Sequence, residues 1–116
     1  MTDVTIFHNP QCGASRNTLA LLTDAGLAPT VVEYLKAGWT RPQLEDLLKR
    51  MGARPRDILR AKNPLAAERG LLDETVSDDA LLEAMVAEPG LVERPIVITP
   101  KGVALCRPSE RALALI

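Results

Sequence analysis

The first 35 residues constrain the fold most, because two strand patterns flank one helix pattern. Residues 4–7 and 30–35 are rich in β-branched and aromatic side chains, which favour strands. Between them, apolar side chains recur at helical spacing up to Gly26, a common helix stop: Leu19, Leu22 and Ala25. A strand, a helix and a strand within about thirty residues have the length of a βαβ unit. The segment therefore predicts two parallel strands joined by a right-handed crossover.

Cys12 lies where the first strand pattern ends and the helix pattern begins. The first N–H groups of a helix have no partner within the helix, and the peptide dipoles add partial positive charge there. Such a helix start stabilises a thiolate and accepts an oxyanion. Gly13 has no Cβ, so an anion can approach its backbone closely. These features predict a reactive cysteine at an anion site, and the alternative is a buried cysteine at the end of a strand.

The helix start is not sufficient to activate Cys12. An unperturbed thiol, with a pKa of about 8.5, is only ~3% ionised at neutral pH, and lowering that pKa by about two units takes about 2.7 kcal/mol. A helix N-terminus typically contributes about 0.3–1 kcal/mol. Cationic side chains are therefore expected near the sulfur. The sequence offers four candidates for this role: Arg16, Arg60, Arg94 and Arg107.

Two polar residues near Cys12 have open roles. A protonated His8 would lower the pKa of the thiol, whereas a neutral His8 would accept its proton, and a structural role is the alternative. Ser15 would either donate a hydrogen bond to the thiolate or bond locally in the first turn of the helix.

The spacing around Cys12 excludes two related chemistries. A dithiol redox motif needs a second cysteine three residues later, where this chain has Ser15. A tyrosine-phosphatase-type loop needs an arginine six residues after the cysteine, where this chain has Thr18. What remains is a single thiol at an anion site, which must receive a second reducing thiol from another molecule.

The middle of the chain carries helix patterns with clear caps. Thr40 precedes one apolar helical stripe, which Gly52 ends, and Ser77 precedes another. A shorter helix is predicted at residues 54–61 and a turn or helix at residues 65–72.

The end of the chain returns to strand patterns. Residues 95–99 and 103–106 predict a hairpin, and a last helix is predicted with Pro108 in its first turn. The order β-α-β, helical segment, β-β-α predicts an α/β fold of the thioredoxin-like layout, which is a mixed four-stranded sheet with helices on it. We expect a single domain over residues 1–116, with an inserted helical subdomain at about residues 40–90.

Composition excludes several other classes. Fourteen basic and fifteen acidic residues give a net charge of -1, which argues against nucleic-acid binding. No apolar run approaches the ~20 residues that span a bilayer, and the first residues do not resemble a signal peptide. We therefore expect a cytoplasmic protein without a membrane partner, in monomeric form. Two cysteines and one histidine are too few to predict a metal site, and Cys106 is expected to be a core side chain.

Four stretches together resemble the glutaredoxin-dependent arsenate reductases of the ArsC family. They occur in order along nearly the whole chain: HNPQCGASRNTL at 8–19, ILR at 58–60, LVERPIVI at 91–98 and LCRPSE at 105–110.

The resemblance implies a role for each matching residue. Cys12 would be the catalytic nucleophile, and His8 would help to tune its thiol. Pro95 would be the cis-proline that thioredoxin-like folds place opposite the active cysteine. Arg60, Arg94 and Arg107 would bind the oxyanion. Together with Gly13 and Ser15 of the helix start, they form the expected substrate-binding site.

The resemblance also implies a reaction, the reduction of arsenate to arsenite in arsenic resistance. Arsenate and glutathione would be the substrates, a glutaredoxin would be a transient partner, and no bound cofactor or metal is expected. Two alternatives share the fold. One is a non-enzymatic regulator similar to the Spx proteins, and the other is a glutathione-linked thiol transferase without arsenate chemistry.

Overall fold

A mixed four-stranded sheet is the framework of the protein, whose computed structural model describes residues 4–106 and 109–116. The four strands are Thr5–His8 (β1), Thr30–Glu33 (β2), Ile96–Thr99 (β3) and Gly102–Leu105 (β4). Their order in the sheet is β2-β1-β3-β4, where β1 pairs in parallel with β2 and antiparallel with β3, and β3 pairs antiparallel with β4. The mixed sheet and the parallel pair are as predicted.

Five α-helices and three 3₁₀ helices are found among the described residues. The α-helices are Gly13–Asp24 (α1), Tyr34–Ala37 (α2), Arg41–Met51 (α3), Pro64–Glu68 (α4) and Asp78–Ala87 (α5). The 3₁₀ helices are Pro55–Ile58, Pro89–Leu91 and Ser109–Leu115. Within residues 4–106 and 109–116, every helix is too short or too polar to cross a bilayer.

The chain divides into two compact units. One contains the sheet and consists of the described residues up to Ala37 and from Arg94 onward, and the other is Gly38–Glu93. A single domain with an insertion at about 40–90 stays a prediction.

In the sheet unit, α1 and the 3₁₀ helix Ser109–Leu115 pack against each other. The core of this unit joins strand and helix side chains, all buried: Val4, Ile6, Leu22, Val97, Cys106 and Ala112. Cys106 is completely buried, as expected of a core side chain. This core holds the first strand and α1 together, and the loop that carries Cys12 joins those two elements.

The second strand is shorter than predicted. It ends at Glu33, whose partner in β1 is His8, and Tyr34 begins α2. Since β1 also ends at His8, Tyr34 and Leu35 have no residue of β1 opposite them. A turn of helix satisfies their backbone groups instead. The predicted helices at 54–61 and at the end of the chain form as 3₁₀ helices.

The unit Gly38–Glu93 is organised by helix caps that the sequence predicted. The hydroxyl of Thr40 accepts a hydrogen bond from the N–H of Gln43 at 3.2 Å, and Gly52 ends α3 with a φ of 65°. The hydroxyl of Ser77 accepts one from the N–H of Ala80 at 3.1 Å and so begins α5. Buried side chains of this unit include Leu44, Leu47 and Leu48 of α3, Leu81 and Met85 of α5, and Ile58, Leu91 and Val92 of the segments that follow them.

Candidate active site

The loop between β1 and α1 fixes Cys12 at the start of the helix. The side chain of Asn9 accepts a hydrogen bond from the N–H of Gln11 at 3.0 Å, and its backbone carbonyl accepts one from the N–H of Cys12 at 3.0 Å. Cys12 has extended backbone angles and is the N-cap residue of α1. The thiol is partly exposed to solvent. Cys12 is therefore accessible at the point where the free N–H groups of α1 begin.

The pKa of the Cys12 thiol falls below its ordinary value, to about 7. Partial burial opposes this shift, because it disfavours the thiolate. A hydrogen bond from the Arg94 side chain outweighs it, together with the charge of Arg94 and the N–H groups of Ser15 and Ala14. The sulfur does not form the close cap hydrogen bond that a serine or aspartate oxygen would form. Its interaction with those N–H groups nevertheless favours the thiolate.

Sheet register explains why Arg94 reaches the sulfur. Phe7 of β1 pairs with Ile96 of β3, and the two strands are antiparallel. The residues just before β3 therefore lie at the end of β1 from which the Cys12 loop departs. Arg94 precedes Pro95 there, and the peptide bond between them is cis.

The side chains of His8 and Ser15 are both buried and bond to each other. Nδ1 of His8 lies 2.6 Å from Oγ of Ser15, and the same oxygen accepts a hydrogen bond from the N–H of Asn9 at 3.0 Å. Ser15 thus directs its hydroxyl at the end of β1, while its backbone N–H faces the sulfur of Cys12. The sequence offered a hydroxyl-to-sulfur contact or a local helix bond for Ser15, and the observed contact with His8 is a third arrangement.

Burial lowers the pKa of His8 below 6.5, because the ring loses water that would solvate the cation. The carboxylate of Glu33, its partner across the β1–β2 pair, raises that pKa, and the Arg16 guanidinium lowers it. The net direction is downward, which favours the neutral imidazole.

Gly13 and Arg16 complete the exposed surface of the helix start. Arg16 donates a hydrogen bond to the carbonyl of Pro10 at 3.0 Å, in an exposed position. A Cβ added to Gly13 would meet only Nη2 of Arg16, at 4.0 Å, among the described residues. Packing within the described protein therefore does not require a glycine at this position.

The described contacts of Cys12 do not include the other two predicted anion-binding arginines. Arg60 belongs to the unit Gly38–Glu93, where it donates a hydrogen bond to Glu93 at 2.6 Å, and both side chains are 20% exposed. Arg107 lies outside the described residues. Six of the predicted site residues lie in the described part of the sheet unit: Cys12, His8, Gly13, Ser15, Arg94 and Pro95.

The sequence interpretation missed the role of Asn9. Asn9 is 7% exposed and uses its side chain, carbonyl and N–H to hold the loop. Asparagine before a proline is a signal for a side-chain-stabilised turn, so the pattern Asn9-Pro10 was the available clue.

Comparisons with known proteins agree over nearly the whole chain. The ArsC family model matches residues 7–115. The arsenate reductase ArsI2 of Synechocystis is 55% identical over 113 residues, which are 97% of this chain and 81% of that protein. The arsenate reductase of Escherichia coli K12 is 43% identical over 116 residues, which are 100% and 82%. An arsenate reductase structure from Vibrio cholerae superposes with a TM-score of 0.94 at 40% identity, over 99% of this chain and 98% of that one.

Proposed function

Because the chain belongs to the ArsC family, we propose that it reduces arsenate to arsenite through a covalent adduct on Cys12. The observation that carries this proposal is the hydrogen bond from Arg94 to the Cys12 sulfur, which lowers the thiol pKa to about 7 at the start of a helix. About half of the thiol is then ionised at neutral pH. Relatives named arsenate reductases, at 43–55% identity, support the same substrate.

In the first step, the Cys12 thiolate attacks the arsenic atom. Arsenate is mainly a dianion near neutral pH, as its phosphate analogues are. The S–As bond forms as one As–O bond breaks, and the departing hydroxyl takes one proton and leaves as water. The product is a thiol-arsenate adduct on the protein.

In the second step, glutathione supplies the second thiol. Its thiolate attacks the sulfur of Cys12, an S–S bond forms, and the S–As bond breaks with its electron pair remaining on arsenic. Arsenic is thereby reduced from the +5 to the +3 state and leaves as arsenite. A glutaredoxin thiolate then attacks the glutathione sulfur of the mixed disulfide and releases the Cys12 thiolate.

The environment of Cys106 supports the use of external thiols. It is the only other cysteine in the chain, it is completely buried, and burial raises its pKa to about 11. A thiol in that state neither ionises at neutral pH nor reaches an exposed disulfide. The electrons that resolve Cys12 must therefore come from another molecule.

The substrate-binding groups follow from charge. The thiolate and an arsenate dianion bring about three negative charges together, and three arginines would balance them. Arg94 is the guanidinium bonded to the sulfur, and Arg60 and Arg107 are proposed as the other two. Gly13 and Ser15 contribute backbone at the helix start, where an oxyanion is favoured. His8 is proposed to help to tune the thiol.

A coupled assay tests the function. Arsenate-dependent NADPH consumption is followed with glutathione, glutaredoxin and glutathione reductase, and arsenite is measured as the product. We expect turnover that Cys12→Ser abolishes and that Cys106→Ala, a matched loss of the other thiol, retains.

Three outcomes would contradict parts of the proposal. No turnover above background would favour a non-enzymatic regulator, and disulfide exchange without arsenite would indicate a thiol transferase. Turnover that continues without glutaredoxin, or with thioredoxin in its place, would overturn the assigned partner.

A further inference from the structure

The hydroxyl of Ser15 is completely buried between two groups at the end of β1. It lies 2.6 Å from Nδ1 of His8 and 3.0 Å from the N–H of Asn9. Because Ser15 has no exposed surface, its hydroxyl proton must be used within the protein.

The donors and acceptors around the Ser15 oxygen determine which group receives that hydroxyl proton. The N–H of Asn9 is a donor, so it occupies one lone pair of the Ser15 oxygen. If Nδ1 of His8 also carried a proton, two donors would face the oxygen and the hydroxyl proton would need a third partner. Among the described residues, the Ser15 hydroxyl has no such partner. The arrangement is satisfied when the hydroxyl donates to an unprotonated Nδ1.

We propose that Ser15 is a positioning residue that holds His8 as a neutral imidazole with its proton on Nε2 and ties the Cys12 loop to the first turn of α1. This inference rests on the proposed function only in taking Cys12 as the nucleophile. In this form His8 is not a cation, and its Nδ1 does not accept the proton of the thiol. It presents an N–H donor at Nε2. Activation of the thiol is then the work of Arg94 and the helix N–H groups.

The other groups around His8 are compatible with a neutral imidazole. Burial has the largest effect on the ring and disfavours its cation, and Arg16 of α1 acts in the same direction. Glu33 of β2 acts in the opposite direction without reversing the shift. The pKa of His8 is therefore lowered, in agreement with the neutral form that the hydrogen bond to Ser15 favours.

Ser15 also connects His8 to the sulfur through the backbone. Its hydroxyl oxygen accepts a hydrogen bond from the N–H of Asn9, and the carbonyl of Asn9 accepts one from the N–H of Cys12 at 3.0 Å. The backbone N–H of Ser15 itself favours the thiolate. Removing the hydroxyl leaves a buried N–H and a buried ring nitrogen without this partner, so the loop is expected to shift relative to the helix.

The first test observes His8 directly. His8 is the only histidine of the chain, so a protein purified without a histidine tag and labelled with ¹⁵N gives one imidazole. In long-range ¹H–¹⁵N spectra at neutral pH we expect a protonated Nε2 and an unprotonated Nδ1 in the wild type. A protonated Nδ1 in that spectrum would overturn the proposal. This measurement needs neither a variant nor arsenate.

The second test measures the thiol in three variants. Ser15→Ala should raise the Cys12 pKa, read from the pH dependence of alkylation, and a rise of about half a unit lowers the alkylation rate at pH 7 about twofold. Ser15→Thr, which keeps a hydroxyl, should restore most of the wild-type value. Thr18→Val is the matched control, because it removes a buried hydroxyl of the same helix that bonds only the Ala14 carbonyl among the described residues.

The outcomes separate this inference from the proposed function. An unchanged Cys12 pKa in Ser15→Ala, or an equal rise in Thr18→Val, would overturn the coupling through Ser15. If the expected tautomer and pKa changes occur but no arsenite is formed, the positioning role stands and the proposed reaction fails.

Discussion

The Arg94 side chain donates a hydrogen bond to the sulfur of Cys12, although the two residues are far apart in the sequence. The antiparallel pairing of β1 with β3 makes the contact possible. A helix start alone contributes about 0.3–1 kcal/mol to a nearby anion, which is too little to lower the thiol pKa to about 7. Arg94 is therefore the main source of thiol acidity in the sheet unit.

Replacing Arg94 should make Cys12 a weaker acid. In Arg94→Ala the thiol loses both the hydrogen bond and the positive charge of the guanidinium, so the pKa of Cys12 should rise from about 7 toward the ordinary value. At pH 7 the thiolate fraction would then fall by about tenfold. Thiolate absorbance or alkylation rate across pH measures the change.

Arg16→Ala is the control for that experiment, since it removes an equal charge from an exposed side chain that bonds the Pro10 carbonyl. A smaller shift is expected there. Equal shifts in both variants would mean that net charge, and not the Arg94 hydrogen bond, sets the pKa.

The two cysteines should affect stability with opposite pH dependence. Burial raises the folded-state pKa of Cys106 to about 11, so its neutral form stabilises the fold below about pH 8.5, and this contribution is lost as pH rises toward 11. The folded-state pKa of Cys12 is lowered to about 7, so its contribution is present above about pH 8.5 and is lost as pH falls through 7.

Denaturant unfolding at several pH values checks both signs. Relative to the wild type, Cys106→Ala should lose less stability between pH 8.5 and 11, and Cys12→Ser should lose less between pH 8.5 and 7. Parallel curves for the wild type and Cys106→Ala would contradict the raised pKa of the buried thiol.

Gly13→Ala should separate folding from substrate binding. Gly13 is the first residue of α1, and an added Cβ has room among the described residues. The variant should be as stable as the wild type or more stable by about 0.4–1 kcal/mol, because alanine restricts the unfolded chain. If arsenate lies against this backbone, the KM for arsenate should rise several-fold while the Cys12 pKa stays near 7. A thermal melt and initial-rate kinetics give the two readouts, and an unchanged KM would remove Gly13 from the substrate site.

Arg60 requires a double variant, because it is already bonded to a partly buried carboxylate. Arg60→Ala removes one partner of Glu93, at 2.6 Å, and should cost about 1–3 kcal/mol of folding free energy. Arg60→Ala with Glu93→Gln should recover much of that loss, since the remaining side chain is uncharged. If Arg60 binds arsenate, the double variant should keep a raised KM despite its recovered stability. A KM that recovers together with stability would assign Arg60 a structural role only.

Local sequence determined the elements around the site. The β-branched and aromatic residues 4–7 predicted β1. Thr40, Gly52 and Ser77 predicted the limits of helices, because caps depend on neighbours a few residues away. The same local logic placed Cys12 at the start of α1. The resemblance to the ArsC family rested on the stretch that carries Cys12 and on three others, at 58–60, 91–98 and 105–110, and the family match confirms it.

Tertiary structure decided what each site residue contacts. From charge alone the sequence offered Arg16, Arg60, Arg94 and Arg107 as partners of the thiol, and the resemblance selected the last three. The β1–β3 register accounts for the contact between Arg94 and the sulfur. Sequence offered the Cys12 thiolate or the first turn of the helix as the partner of the Ser15 hydroxyl. In the structure its partner is His8, at the buried end of β1. The reason is physical: a cap or a turn is satisfied by its own neighbours, whereas a buried hydroxyl or a guanidinium bonds to whichever distant group the packed sheet brings within reach.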